Sequence, residues 1–199
     1  MPGSGTTACP PKHAWRLFRT PWIPAKRPER HMPSRDYEEF IAALNRHEVR
    51  YLVIGAHALA FHAIPRATKD LDILVEPDPD NAKRALKAVK DFFGGAELGY
   101  TETDLCNTTT VIQLGYAPVR IDLLAGLSKD LPFERLWKNR VHAHFGNVPT
   151  HYLGFDDLIQ AKEAANRPQD RVDVRTLRRI REQIQKGPER PHPRPRRQK

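Results

Sequence analysis

Two acidic residues interrupt a segment that otherwise has the composition of a buried β-strand. Residues 69–75 read KDLDILV, so Leu, Ile and Val surround and follow Asp70 and Asp72. Strands favour Val and Ile and are depleted in Asp, and an unpaired carboxylate inside a sheet is costly. We therefore expect a cation or a charged side chain to compensate the two carboxylates.

A third acidic residue has the same apolar setting. Asp122 lies within residues 119–125, which read VRIDLLA. Residues two apart on a strand share a face, so Asp70 and Asp72 point the same way. If the Asp122 strand lies alongside, three carboxylates converge at one edge of the sheet. Carboxylate oxygens are preferred ligands of Mg²⁺, and a pair of such ions suits displacement at phosphorus, so the pattern predicts a site for one or two Mg²⁺ ions.

Each acid also has a purely structural alternative, in which a nearby residue satisfies it. Asp70 could cap a turn after Thr68. Asp72 could form an ion pair with Arg66 or Lys69, and Asp122 could form one with Arg120.

Gly55 stands where an apolar strand ends and a short apolar helix begins, in VIGAHALAFHAI. Backbone N–H groups at such a turn form an anion site, and Gly lets a phosphate approach closely. Beside the three acids, this turn predicts a phosphate site at Gly55 and Ala56 and hence nucleotide chemistry. His57 and His62 follow in the apolar helix, where each either packs in the core or contacts a substrate.

Apolar periodicity predicts alternating helices and strands along the body of the chain. A helix that opens at Ser34 or Asp36 is followed by strand, helix, strand and helix. Two further strands, a short helix, a hairpin around Gly146 and two C-terminal helices complete the pattern. This order predicts an α/β (α+β) fold, with a mixed β-sheet flanked by helices.

The basic character of the chain belongs to its ends. Net charge is +9, of which residues 1–35 carry +6 and residues 186–199 carry +5, leaving −2 for the body. We predict a disordered Pro-rich leader at 1–33, a folded domain at 34–186 and a disordered basic tail at 187–199. The ends are either solvated tails or RNA-binding segments. Two cysteines and no apolar span indicate a cytoplasmic protein without a membrane partner.

Taken together, these residues resemble the nucleotidyltransferase superfamily with the polymerase-beta-like fold. That family has a Gly-Ser or Gly-Gly turn, an acid-x-acid pair on one strand and a third acid on a neighbouring strand. Residues 54–75 and 156–174 are similar to the subgroup that includes AbiEii-type toxins of toxin–antitoxin systems. The resemblance covers roughly residues 36–185.

The resemblance implies a role for each matching position. Metal ligands are implied at Asp70, Asp72 and Asp122. Asp122 would also help to activate the attacking hydroxyl. Contacts to the triphosphate are implied at Gly55, Ala56, Arg66 and Lys162.

Two positions depart from the family pattern, and one has a competing interpretation. Ala56 replaces the Ser or Gly of the turn and has no hydroxyl for a phosphate. Ala63 replaces a Gly that follows the second histidine. Lys162 either meets phosphate charge or forms a surface ion pair with Asp157 or Glu163.

The predicted function is Mg²⁺-dependent transfer of a nucleoside monophosphate from an NTP, such as ATP, to an acceptor hydroxyl. The resemblance implies tRNA or a protein as acceptor, and a toxin role with a cognate antitoxin. Two rival hypotheses are a catalytically silent module of the same fold that binds nucleotide or a partner, and an RNA-binding protein that acts through its basic tails.

Overall fold

A computed structural model of the chain describes residues 33–63, 68, 70–116 and 119–186. The predicted leader up to residue 32 and the predicted tail from residue 187 lie outside these ranges, so the domain boundaries stay a prediction. Arg66 and Lys69 also lie outside the described residues.

The described ranges contain seven helices and six strands. The helices are α1 (Pro33–Arg46), α2 (Gly55–His62), α3 (Pro79–Phe92), α4 (Glu102–Cys106), α5 (Phe133–Lys138), α6 (Phe155–Ala165) and α7 (Pro168–Lys186). The strands are β1 (Tyr51–Val53), β2 (Asp70–Val75), β3 (Val111–Tyr116), β4 (Val119–Leu124), β5 (Val141–Phe145) and β6 (Val148–Tyr152).

The six strands form one mixed sheet in the order β3-β4-β2-β1-β6-β5. Strand β2 pairs with β4 in parallel, and β1 pairs with β6 in parallel. The other neighbouring pairs are antiparallel, including the predicted hairpin of β5 and β6. The predicted mixed sheet with flanking and C-terminal helices is therefore confirmed.

Strand β2 separates an apolar face from a polar one, as its alternating sequence requires. Leu71 and Ile73 are fully buried in the core, while Asp70 and Asp72 project from the opposite face. Helices α6 and α7 pack against each other, and α6 also contacts α2. Residues of α6 and α7 line the same cleft as the acidic face of the sheet. None of the helices in the described part of the chain has the length and apolar composition needed to cross a membrane.

Helix α3 is joined to the sheet by one buried amide. Asn81, which is fully buried, accepts a hydrogen bond from the Arg50 backbone N–H at 2.8 Å. Its Nδ2 donates to the backbone oxygens of Arg50 at 3.1 Å and Glu76 at 3.2 Å. A single side chain thus fixes the start of β1 and the end of β2 against the first turn of α3.

Replacing Asn81 with Ala should lower the free energy of unfolding by about 3 kcal/mol, because buried backbone groups lose their hydrogen-bond partners. Urea denaturation measures the change. Lys83→Ala, an exposed position on the same helix, should change stability by less than about 0.5 kcal/mol. Equal losses in the two variants would contradict this role for Asn81.

Candidate functional site

The parallel pairing of β2 and β4 brings the three predicted acids together. Asp72 lies directly opposite Asp122, and Asp70 lies opposite Arg120. Alternation along the strands places all four side chains on the same face of the sheet. The predicted adjacency of the two acidic strands is therefore confirmed. Asp72 and Asp122 lie side by side at the middle of the β2–β4 pairing.

Arg120 bridges two of the three carboxylates. Its Nη2 donates to Oδ2 of Asp70 at 2.5 Å and to Oδ2 of Asp122 at 3.2 Å. The ion pair between Arg120 and Asp122, the structural alternative from the sequence, is thus present and extends to Asp70. Thr68 bonds the Asp70 backbone, with its hydroxyl donating to the carbonyl oxygen at 3.1 Å and accepting from the N–H at 3.4 Å.

Asp72 lacks such a partner among the described residues, none of which forms a hydrogen bond to its carboxylate. Burial, followed by repulsion from Asp122 and Asp70, raises the pKa of Asp72 to about 6. Burial also raises the pKa of Asp122, against the opposing effect of Arg120. Burial first, and neighbouring negative charge second, therefore raise the pKa of both facing carboxylates.

The donor chemistry of this cluster fits a divalent cation. Three carboxylates share one face, and Oδ1 of Asp122 is buried without a hydrogen-bond partner in the structure. A buried unpaired oxygen is costly unless a donor or cation satisfies it. In the present arrangement, however, the described residues contain no group of three or more His, Cys, Asp or Glu side chains placed to hold a metal ion. Arg120 lies between two of the three acids.

Gly55 forms a tight turn that packs directly against Asp72. The Ile54 N–H donates to the Asp72 backbone oxygen at 3.0 Å, and Gly55 then adopts a positive φ of 62°. A Cβ at Gly55 would lie 2.0 Å from Oδ2 of Asp72, far inside contact distance. The glycine is therefore required by the neighbouring carboxylate as well as by its own backbone.

Helix α2 begins at this turn without a side-chain cap. Its first backbone N–H groups have no helical partners, and Gly55 and Ala56 both line the cleft. Such a helix start can receive an anion through the backbone alone. Ala56 adds no hydroxyl, so any anion contact at this position is limited to its N–H group.

The cleft in front of the acids has a volume of about 640 Å³. Its opposite wall comes from α6, α7 and the short connection between them, and it includes Lys162, Arg167, Asp170 and Asp173. The wall thus adds two cationic and two acidic side chains to the acidic face of the sheet.

Lys162 lies inside this wall rather than on the surface. Its Nζ is 3.2 Å from Oδ1 of Asp170 and 2.7 Å from Oδ2 of Asp173. The surface pairing considered from the sequence is wrong, because Asp157 binds Arg135 and Glu163 binds Arg178. A phosphate contact for Lys162 stays a prediction, and it would have to compete with two resident carboxylates.

Sequence reasoning did not assign a role to Arg167, which the structure places at the cleft. Its Nε donates to Oδ2 of Asp170 at 2.6 Å, while its side chain is 74% exposed. The positive charge of Arg167 acts to lower the pKa of Asp72, but the effect of burial is larger and the net pKa is raised. The Arg-Pro-x-Asp stretch at residues 167–170 was the sequence feature that could have indicated this position for Arg167. Spacing alone, however, does not show which way the arginine points.

The two histidines of α2 are packed side chains. His57 makes ring contacts with Tyr37 and Phe145, at centroid distances of 5.6 Å and 5.1 Å. Nε2 of His62 is 2.7 Å from the Leu153 carbonyl oxygen, so it carries the proton that this oxygen accepts. Burial lowers the pKa of both imidazoles. Of the two interpretations of these histidines, the structure favours core packing.

Comparison with solved protein structures found several that match this chain. No family model matches the chain, and no curated protein matches its sequence. The fold is similar to the crystal structure of a Thermotoga maritima protein described as a "putative nucleotidyltransferase", with a TM-score of 0.48 and 14% sequence identity. The match covers 75% of this chain and 92% of that one. The function proposed below rests on the site residues of this chain.

Gly55→Ala should destabilise the protein by more than an ordinary glycine replacement. Gly99→Ala is the matched control, because Gly99 also has a positive φ, 75°, but open space around its Cα. The control should lose about 1 kcal/mol from backbone strain, and Gly55→Ala should lose about 2 kcal/mol more through the clash with Asp72. Asp72→Ala removes the two nearest atoms, Oδ2 and Cγ, so most of the excess should disappear in that background. An undiminished excess in denaturation experiments would refute the contact.

The ionisation of Asp72 should make stability depend on pH. Its folded-state pKa of about 6 exceeds the ordinary value of 3.8. The unfolded chain therefore releases this proton first, and stability falls as pH rises from about 4 to about 6. Asp72→Asn removes this loss, so the variant should gain up to about 3 kcal/mol relative to wild type over that range, measured by urea denaturation without metal. Parallel pH profiles for the two proteins would contradict the assignment.

Proposed function

We propose that this chain is a divalent-metal-dependent nucleotidyltransferase that transfers a nucleoside monophosphate from an NTP to an acceptor hydroxyl. The observation that carries the proposal is the register of β2 and β4, which pairs Asp72 with Asp122 and adds Asp70 on the same face. A resemblance to nucleotidyltransferases in the sequences around these three acids supports it.

The three carboxylates would hold one or two Mg²⁺ ions. When bound, such ions neutralise charge on the reacting phosphate and lower the pKa of an attacking hydroxyl. Asp122 supplies a buried oxygen that has no hydrogen-bond partner among the described residues. Asp72 adds a second carboxylate directly opposite it on the same face. The raised pKa of Asp122 suits a group that accepts a proton from the acceptor hydroxyl.

The triphosphate would lie between the start of α2 and the wall of α6 and α7. The backbone N–H groups of Gly55 and Ala56, which have no side-chain cap and line the cleft, would form an anion site on one side of it. Arg167 offers a mostly exposed guanidinium from the other side. Lys162 and Arg66 are the further cations that the family resemblance implies, and only Lys162 belongs to the described residues.

The acceptor class is proposed from the resemblance. It would be a hydroxyl of tRNA or of a protein, and the biological role would be that of a cytoplasmic toxin controlled by a cognate antitoxin. The basic segments at the two ends of the chain, which carry +6 and +5, favour an RNA acceptor through phosphate neutralisation.

A catalytically silent nucleotide-binding protein is the second candidate. Two observations favour it, the missing hydroxyl at Ala56 and the guanidinium of Arg120 on two of the three acids. In this case the cleft would bind an NTP without turnover. The RNA-binding function of the tails is independent of the cleft and would survive changes to the acids.

Transfer of label from α-phosphate-labelled NTPs to total tRNA or to protein, in the presence of Mg²⁺, tests the proposal. Asp70→Asn, Asp72→Asn and Asp122→Asn should each reduce transfer by roughly 100-fold or more, because each removes charge from the metal site. Asp130→Asn, at an exposed acid outside the cleft, is the matched control and should retain full activity.

Three other results would point elsewhere. NTP binding without transfer by the wild-type protein supports the silent module. RNA binding that ignores the Asp substitutions and disappears when residues 1–32 and 187–199 are removed supports the tail hypothesis. Transfer that survives all three Asp substitutions would falsify the proposed site.

A further inference from the structure

We propose that Arg120 is a resident counter-ion of the acidic site, which must leave Asp70 and Asp122 before a divalent cation can bind there. This inference rests on the proposed function, because it concerns the same three carboxylates. It assigns to Arg120 a role that the motif residues do not predict.

The first support is that Arg120 lies between two of the carboxylates that would hold a metal ion. Its Nη2 contacts Oδ2 of both Asp70 and Asp122, at 2.5 Å and 3.2 Å. Mg²⁺ binds carboxylate oxygens directly at about 2.1 Å and demands a regular arrangement of ligands. A metal ion that bridged these two carboxylates would have to take the place of the guanidinium nitrogen that now lies between them.

The second support is charge. A guanidinium is always protonated in proteins, so it cannot reduce its repulsion by losing a proton. A divalent ion at this distance would be repelled by the fixed positive charge, and the partly buried setting weakens solvent screening. Binding of the ion and retention of the Arg120 bridge therefore oppose each other.

The third support is that Arg120 is held in a way that permits its departure. Its side chain is 35% exposed, compared with 15% for Asp122, so it borders the open cleft. Its Nε is buried without a hydrogen-bond partner, which leaves the two Nη2 contacts as the bonds that fix the head group among the described residues. Turning the guanidinium into the cleft would release these carboxylates and point its charge at a bound anion.

Without a cation of some kind the cluster would be poorly compensated. Asp70, Asp72 and Asp122 lie on one face, and Oδ1 of Asp122 already lacks a hydrogen-bond partner among the described residues. Arg120 supplies one positive charge to this cluster in the metal-free protein. A bound metal ion replaces that charge, so the site remains compensated in both states.

Binding of Mn²⁺, followed by electron paramagnetic resonance, tests the exchange without any measurement of activity. Arg120→Gln removes the charge and should bind Mn²⁺ roughly tenfold more tightly than wild type, because repulsion and competition are both lost. Arg120→Lys keeps the charge and should stay close to the wild-type affinity. Arg46→Gln, an exposed change at the end of α1, is the control for net charge and should have no effect.

A measurement on the wild-type protein covers the case in which Arg120→Gln fails to fold. The Nε–H signal of Arg120 in a ¹⁵N NMR spectrum, assigned with Arg120→Lys, should shift as Mg²⁺ is added. Thermal melting gives a further check, since folded Arg120→Gln should melt below wild type without metal and gain more from added Mn²⁺.

The outcomes separate this inference from the proposed function. Equal or weaker Mn²⁺ binding by Arg120→Gln, or an Nε–H signal unmoved by saturating Mg²⁺, overturns the exchange, while label transfer by the wild-type protein would still support the enzyme. If neither wild type nor Arg120→Gln binds Mn²⁺ and no label is transferred, both proposals fail.

Discussion

Parallel pairing of β2 and β4 creates the electrostatic conflict around which the site is built. The register sets Asp72 beside Asp122, and like charges directly opposite each other destabilise a sheet. The strands nevertheless have a fully buried opposite face, with Leu71 and Ile121 in the core. A slip of one residue would expose that face, so the apolar packing holds the carboxylates together.

The neighbourhood of the acids relieves this conflict by different means. Arg120 donates to two carboxylates, and the raised pKa of Asp72 keeps part of its population neutral near pH 6. Arg167 contributes a more distant positive charge from the opposite wall. Carboxylates with raised pKa values that cluster in a cleft are more typical of functional sites than of positions that serve stability alone.

Most elements of the fold were predictable because their patterns are local. Alternation of apolar and polar residues marked β2 and β4, and amphipathic spacing marked the longer helices. Helix α4 was missed because five residues carry too little periodicity to recognise. Its signal was the capping arrangement of Thr101 and Asp104, which bond each other's backbone N–H groups.

The site was predictable only in part, because its decisive contacts join distant segments. The sequence suggested three converging acids, since each stands alone in an apolar strand. It also offered Arg120 as a partner for Asp122, two residues away, but not for Asp70, fifty residues away. The buried pairing of Lys162 with α7 depends on how two helices pack, and no spacing rule specifies that.

The contact between Gly55 and Asp72 makes the acidic site sensitive to side-chain length. A glutamate at position 72 would keep the negative charge but carry it on a longer side chain, and the added methylene would have to fit against the β1–α2 turn. Replacing Asp72 with glutamate would therefore conserve the charge but would crowd the turn at Gly55. Side chains longer than Asp are therefore disfavoured at position 72 as long as the turn at Gly55 keeps its conformation.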